Sequence, residues 1–335
     1  MIQTPLPPSL ANETPFTPPP TPSPSGTNHP DREGAPKHVL ASNDLSAEEI
    51  RLVLDTAKYF KVLRKKNPHL LAPIANRMLA MIFEKQSLRT RVSFETGFHE
   101  LGGHACYLTK ADIEMGKRES IADTARVLSN WATMIVARLY KQSDIEELAK
   151  WSTVPVINGL TDAEHPCQAL ADLQTVEEHF GTDKVKIAWI GDGNNVCNSL
   201  AVTAAKLGHE VVVCTPAGYE AAEIVYTFPN VTAAYNPEQA VEGAKVISTD
   251  VWVSMGQEEE TETRMKRFSK FQVNSELMAK ADPAAIFLHC LPAVRGLEVS
   301  DDVIDGPQSV VFQQSDNRLH AQKALMSLIL DGVLA

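Results

Sequence analysis

Five consecutive residues, Ser-Leu-Arg-Thr-Arg at positions 87–91, combine hydroxyl and guanidinium side chains that could bind a phosphate group. They follow an apolar segment, and the pattern after them predicts a helix, so we expect the cluster at a helix N-terminus. Free backbone N–H groups and the helix dipole favour an anion there. Ser87 and Thr90 add hydroxyl donors, and Arg89 adds a bidentate guanidinium group. A helix N-cap with solvated arginines would account for these residues equally well.

Four further polar residues stand where an anion or a carbonyl group could be bound. Arg138 occurs inside a strongly apolar strand, so its charge needs a partner, which could be a structural ion pair or a ligand. His165 and Gln168 flank Pro166, a residue suited to the first position of a helix, and we expect both side chains to face a cleft between domains. Arg318 lies near the start of the last predicted helix, where a surface salt bridge is the simplest interpretation.

Two other segments could contact an amine or close a site. Asp250 follows a predicted strand and could bind an ammonium group, while Ser254 and Met255 precede a glycine in a loop that could cover a substrate. An Asp N-cap and a surface loop would explain the same residues. Cys290 ends another predicted strand and could contact a ligand. Zinc binding by His289 and Cys290 is disfavoured, because adjacent strand residues point to opposite faces, and no metal site is predicted.

A glycine-rich turn at residues 191–195, Gly-Asp-Gly-Asn-Asn, suggests a different class of enzyme. It resembles an incomplete dinucleotide-binding motif, so an NAD-dependent dehydrogenase is one alternative. Two features weaken it: Val196 occupies the third glycine position, and the next strand ends near Thr215 without the expected acidic residue.

The elements that must position these side chains alternate between strand and helix. Apolar segments predict buried strands at residues 78–83, 105–108, 133–139, 155–158, 186–191, 210–216, 231–235, 245–249, 285–291 and 309–312. Amphipathic segments predict helices near residues 47–63, 91–101, 120–131, 145–151, 196–208 and 315–332, with another that begins at Pro166. Strands that are apolar throughout are typical of parallel sheets covered on both faces. We therefore expect an α/β protein with two doubly wound parallel-sheet domains and the active site in the cleft between them.

Composition divides the chain further. Residues 1–37 hold eleven of the 21 prolines and predict a disordered tail. We expect one domain at residues 38–165 and a second at 166–335, whose terminal helix packs back toward the first domain.

Charge and cysteine usage exclude several classes of protein. The formal net charge of −11 disfavours a nucleic-acid binder, and no apolar stretch is long enough to predict a membrane span. The five cysteines are widely spaced, which is typical of free thiols in a reducing compartment. The tail has no basic residue before Arg32 and no apolar core, so it lacks the features of a transit or signal peptide. We therefore expect a cytoplasmic protein.

Four of these motifs, taken in order, resemble the aspartate/ornithine carbamoyltransferase family. The motifs are Ser-x-Arg-Thr-Arg, His-Pro-x-Gln, Asp-x-Trp-x-Ser-Met-Gly and His-Cys-Leu-Pro, and the resemblance runs from about residue 38 to the C-terminus. The last two motifs are similar to those of members that use ornithine. The resemblance implies transfer of the carbamoyl group of carbamoyl phosphate to the δ-amine of L-ornithine, giving L-citrulline and phosphate, as in arginine biosynthesis or a urea-cycle-type step.

The resemblance also implies a set of site residues. The implied carbamoyl-phosphate ligands are Ser87, Leu88, Arg89, Thr90, Arg138, His165, Gln168, Cys290, Leu291 and Arg318. The implied ornithine ligands are Asn195, Asp250, Ser254 and Met255.

The implied reaction gives each catalytic residue a physical task. Arg89 would stabilise the departing phosphate, while Arg138 and His165 would polarise the carbonyl oxygen. Asp250 and Cys290 would position the ornithine ammonium and help it lose a proton, so activity should rise toward pH 8–9. Positioning and charge stabilisation suffice for this reaction, and we expect no cofactor.

Members of this family are trimers or multiples of trimers, so the resemblance implies a homo-oligomer. Two residues depart from the family's pattern: Leu88 replaces a threonine, and Glu114 stands where glutamine or histidine is common in a loop that reaches a neighbouring subunit. A carbamoyltransferase that uses another amine acceptor, such as acetylornithine or putrescine, remains an alternative. A non-catalytic subunit is disfavoured because all four motifs are intact.

Overall fold

The computed structural model describes residues 37–66, 74–253 and 260–334. The predicted Pro-rich tail therefore lies outside the described residues apart from Lys37, as do Ser254 and Met255. No helix in the described part of the chain is both long and apolar enough to cross a membrane.

The first half of the chain forms a four-stranded parallel sheet with its helices. The strands are β1 (Met78–Phe83), β2 (His104–Thr109), β3 (Met134–Arg138) and β4 (Val156–Leu160). The helices are α1 (Ala47–Lys66), α2 (Leu88–Glu100), α3 (Lys110–Ile113), α4 (Ile121–Trp131) and α5 (Gln142–Trp151), with a 3-10 turn at Ser42–Asp44. The strand order is β2-β1-β3-β4, and every pairing is parallel.

The second half forms a five-stranded parallel sheet. The strands are β5 (Lys186–Ile190), β6 (Glu210–Cys214), β7 (Val231–Ala234), β8 (Val246–Thr249) and β9 (Ile286–His289). The helices are α6 (Pro166–Phe180), α7 (Asn195–Lys206), α8 (Pro237–Val241), α9 (Thr261–Phe268), α10 (Ser275–Met278), α11 (Asp301–Ile304) and α12 (Val311–Leu330), with a 3-10 turn at Glu223–Thr227. The strand order is β7-β6-β5-β8-β9, again all parallel.

Both faces of each sheet are buried. Along β1, Leu79 and Met81 pack into one hydrophobic core while Ala80 and Ile82 pack into another. The strands of the second sheet alternate in the same way between two cores. Burial on both faces requires apolar residues at every strand position, which explains why these strands could be predicted from continuous apolar runs. The predicted fold class, two parallel-sheet α/β domains, is confirmed.

The order of the strands creates a topological switch point in each sheet. In the first sheet the chain moves from β1 to one side and then returns to β3 on the other. In the second sheet it does the same between β5 and β8. Ligands of open α/β sheets bind outside the carboxyl ends of the strands at such points. The carboxyl ends of these four strands are therefore the places to look for a site.

The terminal helix connects the two halves and corrects one prediction. The predicted strand at 309–312 is wrong: only Ser309 makes a single bridge to Phe287, and helix α12 begins at Val311. The run resembles a strand because it consists mostly of β-branched and aromatic residues, but in the structure Val311 is buried while Phe312 is 73% exposed. Helix α12 packs against α1, α2 and α6, and α6 itself also packs against α7, so the domain boundary at 165/166 stays a prediction.

Candidate active site

A cavity of about 960 Å³ opens at the carboxyl ends of both sheets. Its walls come from the loops after β1, β3 and β4 and from the loops after β5, β6, β8 and β9. The candidate residues that line it are Ser87, Leu88, Arg89, Thr90, Arg138, His165, Asn195, Asp250, Cys290, Leu291 and Arg318. Eleven side chains that are scattered over 230 residues of sequence therefore share one cavity.

The β1–α2 turn presents a helix N-terminus to this cavity. Ser87 is the N-cap of α2, and its hydroxyl accepts a hydrogen bond from the Thr90 N–H at 3.2 Å. Leu88 is the first helical residue, and its side chain is 74% exposed. Its lack of a hydroxyl leaves only the backbone N–H as a donor at this position. The cluster thus lies at a helix N-terminus that lines the cavity, and anion binding by its backbone N–H groups stays a prediction.

Arg318 is held in place by three side chains before any ligand binds. Its guanidinium group donates to Gln168 at 2.7 Å, to Gln322 at 2.8 Å and to Thr90 at 3.3 Å. Gln168 is buried behind Arg318, and its amide nitrogen donates to Asp172 at 2.7 Å. The predicted surface salt bridge of Arg318 is wrong: the side chain is 2% exposed, because it lies on the face of α12 that packs against α2 and α6.

Arg138 ends strand β3 and is buried, with no hydrogen-bond partner for its Nε atom among the described residues. Burial, and then repulsion from Arg318, lowers the pKa of Arg138 to about 10. Burial likewise lowers the pKa of Arg89 and that of Arg318. Lowered pKa values indicate that these cations lack sufficient compensation for the water they have lost.

His165 is the N-cap residue of α6, and Pro166 occupies the first helical position as predicted. The His165 backbone N–H donates to the Ser199 hydroxyl at 2.7 Å, which fixes the turn. The imidazole is buried, and its Nδ1 atom has no partner among the described residues. Burial, reinforced by Arg318, Arg138 and Arg89, lowers the pKa of His165 well below its usual value. The ring is therefore neutral at physiological pH and can donate one hydrogen bond.

An acidic residue, Asp250, lies on the wall of the cavity that the second sheet forms. Asp250 follows β8 and accepts hydrogen bonds from Asn194 Nδ2 at 2.8 Å and from the Cys290 thiol at 3.2 Å. Asn195 donates to the Thr161 carbonyl at 2.6 Å, which links the two halves of the cavity wall. Burial, with the nearby Asp250, raises the pKa of the Cys290 thiol well above its usual value. The thiol is therefore protonated at neutral pH.

Asp250, His289 and Cys290 also bring three possible metal-ligand atoms within 4.8 Å of one another. Both ring nitrogens of His289 face protein groups: Nδ1 accepts from the Leu291 N–H at 2.9 Å, and Nε2 lies 3.2 Å from Glu298 Oε1. The imidazole therefore serves the protein structure, while Asp250 and Cys290 face the cavity.

The glycine-rich turn after β5 has a packing function. A Cβ atom at Gly193 would lie 2.2 Å from the backbone nitrogen of Ala221, so the turn must pass directly against the loop after β6. Asn194 then caps α7 by accepting from the N–H groups of Val196 and Cys197. The close approach of two backbone segments explains Gly193 without any pyrophosphate.

Sequence reasoning missed three basic residues of the cavity, Lys85, Lys141 and Arg264. Lys85 is buried beside the Tyr140 ring, 4.5 Å from its centroid, and burial lowers the pKa of its ammonium group. It follows β1 directly, so the rule that ligands gather at strand ends could have found it. Arg264 of α9 pairs with Asp192 at 2.9 Å. That contact joins residues 72 positions apart, and no local pattern signals it.

Comparison with known proteins gives matches over nearly the whole described chain. The model of the carbamoyl-P binding domain of aspartate/ornithine carbamoyltransferase matches residues 37–178. The model of the Asp/Orn binding domain of the same family matches residues 183–329.

Individual relatives agree with these matches. The anabolic ornithine carbamoyltransferase of Pyrococcus furiosus is 52% identical over 310 residues, which cover 89% of this chain and 98% of the relative. A solved structure of ornithine carbamoyltransferase from Pyrococcus furiosus superposes with a TM-score of 0.85 at 51% identity, covering 89% of this chain and 98% of its own. The mitochondrial ornithine carbamoyltransferase from Coccidioides immitis gives a TM-score of 0.82 at 38% identity, with coverage of 89% and 98%.

Proposed function

Since the chain belongs to the aspartate/ornithine carbamoyltransferase family, we propose that it transfers the carbamoyl group of carbamoyl phosphate to the δ-amine of L-ornithine. The products are L-citrulline and phosphate. The relatives named above are ornithine carbamoyltransferases, and the match to this chain covers 98% of the length of each. The Pyrococcus furiosus enzyme is named as anabolic, which supports the anabolic direction.

One observation carries this function: Arg89, Arg138 and Arg318 line one cavity, and none of them forms a salt bridge with a carboxylate in the described part of the chain. Guanidinium groups that lose water without forming an ion pair are costly, and a bound dianion would compensate them. Carbamoyl phosphate supplies such a dianion next to a carbonyl group.

The cavity contains residues that would bind each end of carbamoyl phosphate. The phosphate would bind the N-terminus of α2 and Arg89, whose charge stabilises the leaving group as the C–O bond breaks. The carbonyl oxygen would accept hydrogen bonds from Arg138 and His165, which both line the cavity. Gln168 orients Arg318 in this structure, and we assign it that task beside its expected contact with the carbamoyl NH₂ group.

Ornithine would approach from the second sheet. Asp250 and Asn195 would bind its amino groups, together with Ser254 and Met255. The δ-ammonium first loses one proton to solvent, and the neutral amine then attacks the carbamoyl carbon. The C–N bond forms as the C–O bond to phosphate breaks, and the departing phosphate takes the second proton of the attacking nitrogen. Asp250 and Cys290 would hold this nitrogen next to the carbamoyl carbon, so most of the rate enhancement comes from positioning and charge stabilisation.

We also propose a cytoplasmic homotrimer, or a multiple of trimers, as the family resemblance implies. Three copies of a 36.7 kDa chain amount to about 110 kDa. Light scattering on the purified protein should give this mass or a multiple of it, and a monomer mass at micromolar concentration would contradict the assembly without affecting the reaction.

A citrulline assay on the purified full-length chain tests the reaction and its acceptor. Ornithine, N-acetylornithine and putrescine are compared in parallel with carbamoyl phosphate at saturation. We expect ornithine to be used at least about 100-fold more efficiently than the other two, because only ornithine offers the free α-amino acid end that the acceptor site would bind. A preference for putrescine or N-acetylornithine would support the alternative acceptor, and no product with any amine would reject carbamoyl transfer.

A further inference from the structure

The turn that follows β9 has an unusual backbone conformation. Leu291 has φ +59°, in the left-handed region that branched residues rarely adopt. This residue and Cys290 both line the cavity. A residue in this region needs support from its surroundings, so some neighbouring group must hold the turn.

His289 provides that support through its Nδ1 atom, which accepts the Leu291 N–H at 2.9 Å. A backbone N–H can only donate, so Nδ1 must carry its lone pair. A neutral imidazole then carries its proton on Nε2. The hydrogen bond that holds Leu291 therefore depends on one tautomer of His289.

Glu298 selects this tautomer. Its Oε1 atom lies 3.2 Å from His289 Nε2 and accepts the Val294 N–H at 2.6 Å. Both His289 and Glu298 are fully buried, with 0% exposure. One carboxyl oxygen thus fixes the imidazole at the start of the turn and the backbone at its end.

A buried acidic side chain needs a reason. An apolar residue would fill the same space at lower cost, and the second oxygen of Glu298, Oε2, has no partner among the described residues. Packing alone does not explain a glutamate here. The glutamate is explained by its role as the acceptor for the Nε2 proton of His289 and for the Val294 N–H.

We propose that Glu298 is a positioning residue for carbamoyl transfer. It holds His289 as the Nε2-protonated tautomer, His289 holds Leu291 in the left-handed conformation, and the turn then aims Cys290 and Leu291 into the cavity. The proposal rests on the proposed function in one respect: the group that the turn contacts is the carbamoyl end of carbamoyl phosphate.

Two substitutions of similar shape separate the hydrogen bond from packing. Glu298→Gln keeps an oxygen at Oε1, and the Val294 N–H keeps that oxygen facing inward. Glu298→Met fills the same volume without an acceptor. We expect Glu298→Gln to match the wild type within about threefold in kcat/KM for carbamoyl phosphate. We expect Glu298→Met to lose about tenfold or more.

A loss with Glu298→Met alone, at unchanged circular dichroism, supports the proposal. Wild-type kinetics for Glu298→Met, or equal losses in both variants, overturn it. If Glu298→Met does not fold, His289 provides the same test. His289→Asn can keep an acceptor near Nδ1, whereas His289→Gln cannot, so only His289→Gln should lose activity. Equal kinetics for these two variants would contradict the proposal.

A spectroscopic measurement tests the role of Glu298 independently of the proposed reaction. In histidine labelled with ¹⁵N, the His289 resonances should report a proton on Nε2 in the wild type and in Glu298→Gln. This signature should change in Glu298→Met. A wild type that forms no citrulline would reject the proposed reaction, while the nitrogen spectrum would still decide the role of Glu298. A proton on Nδ1 in the wild type would reject that role.

Discussion

Arg89, Arg138 and Arg318 reach the cavity from α2, β3 and α12, and none of them forms a salt bridge among the described residues. Only Arg318 is held by side-chain hydrogen bonds, to Gln168, Gln322 and Thr90. Proteins rarely bury several like charges in this way unless a ligand compensates them. Burial, and then the same charges, lowers the pKa of His165 and keeps the ring neutral, so it can donate to a carbonyl oxygen without adding a fourth cation. The site is thus complementary to an anion with an adjacent carbonyl group.

Replacing Arg89 should remove the cation assigned to the leaving group. We expect Arg89→Ala to lower kcat/KM for carbamoyl phosphate by at least about 10²-fold, the usual effect of deleting a donor that stabilises developing charge. Arg126→Ala is a suitable control, because Arg126 is an exposed residue of α4 that pairs with Asp123 outside the cavity. Steady-state kinetics on both variants would test this, and equal activities would contradict the assignment.

The pH dependence of the reaction follows from which groups titrate. His165 has a strongly lowered pKa and stays neutral above pH 7, while the raised pKa of Cys290 keeps its thiol protonated up to pH 9. The δ-amine of ornithine, with a pKa of about 10.4 by analogy with lysine, must lose its proton. We therefore expect kcat/KM for ornithine to rise by about tenfold per pH unit between pH 7 and 9. A profile that levels off near pH 7 would show that another group controls the rate.

At the scale of elements, the site lies where the order of the strands reverses. Residues 84–90 and Arg138 follow the two strands beside the switch point of the first sheet, and residues 191–195 and Asp250 follow the corresponding strands of the second. Continuous apolar runs predicted the strands, and the motifs at strand ends and near the start of the last helix predicted eleven of the residues that line the cavity. The order of the strands could not be predicted, because it depends on pairings between segments far apart in sequence.

Two other features could not be predicted from the local sequence, because they also depend on contacts between distant segments. In α12, Val311 packs into the core of the second sheet and Arg318 contacts α2 and α6, whereas a run of branched residues alone favours a strand. The close contact with Ala221 requires a glycine at position 193, and this glycine makes the turn resemble a nucleotide-binding motif. In both cases tertiary packing overrides the local signal.

A substitution at Gly193 therefore tests the packing of the turn after β5 rather than a catalytic group. Gly193→Ala places a methyl group against the backbone of the loop after β6, and a backbone cannot move aside as a side chain can. We expect a loss of about 1–3 kcal/mol in the free energy of unfolding. We also expect a higher KM for ornithine, because Asn194 and Asn195 belong to the same turn. Denaturant unfolding and kinetics measure the two effects, and wild-type values of both would show that the loop has room to shift.

At the scale of the whole molecule, buried histidines connect stability to pH. His209 is 1% exposed, and its Nδ1 atom accepts the Val185 N–H at 3.2 Å. Burial, with repulsion from Lys184, lowers the pKa of His209 to about 4 from 6.5. Burial also lowers the pKa of His320 to about 4. The folded state thus binds fewer protons than the unfolded state between these pH values.

It follows that stability falls as the pH drops from 6.5 toward 4, by at most about 3 kcal/mol for His209. Asparagine at position 209 can still accept the Val185 N–H but does not titrate. We therefore expect His209→Asn to lose less unfolding free energy than the wild type between pH 7 and 4.5, when both are measured in denaturant at one protein concentration. Parallel losses in the two proteins would mean that His209 does not contribute to acid sensitivity.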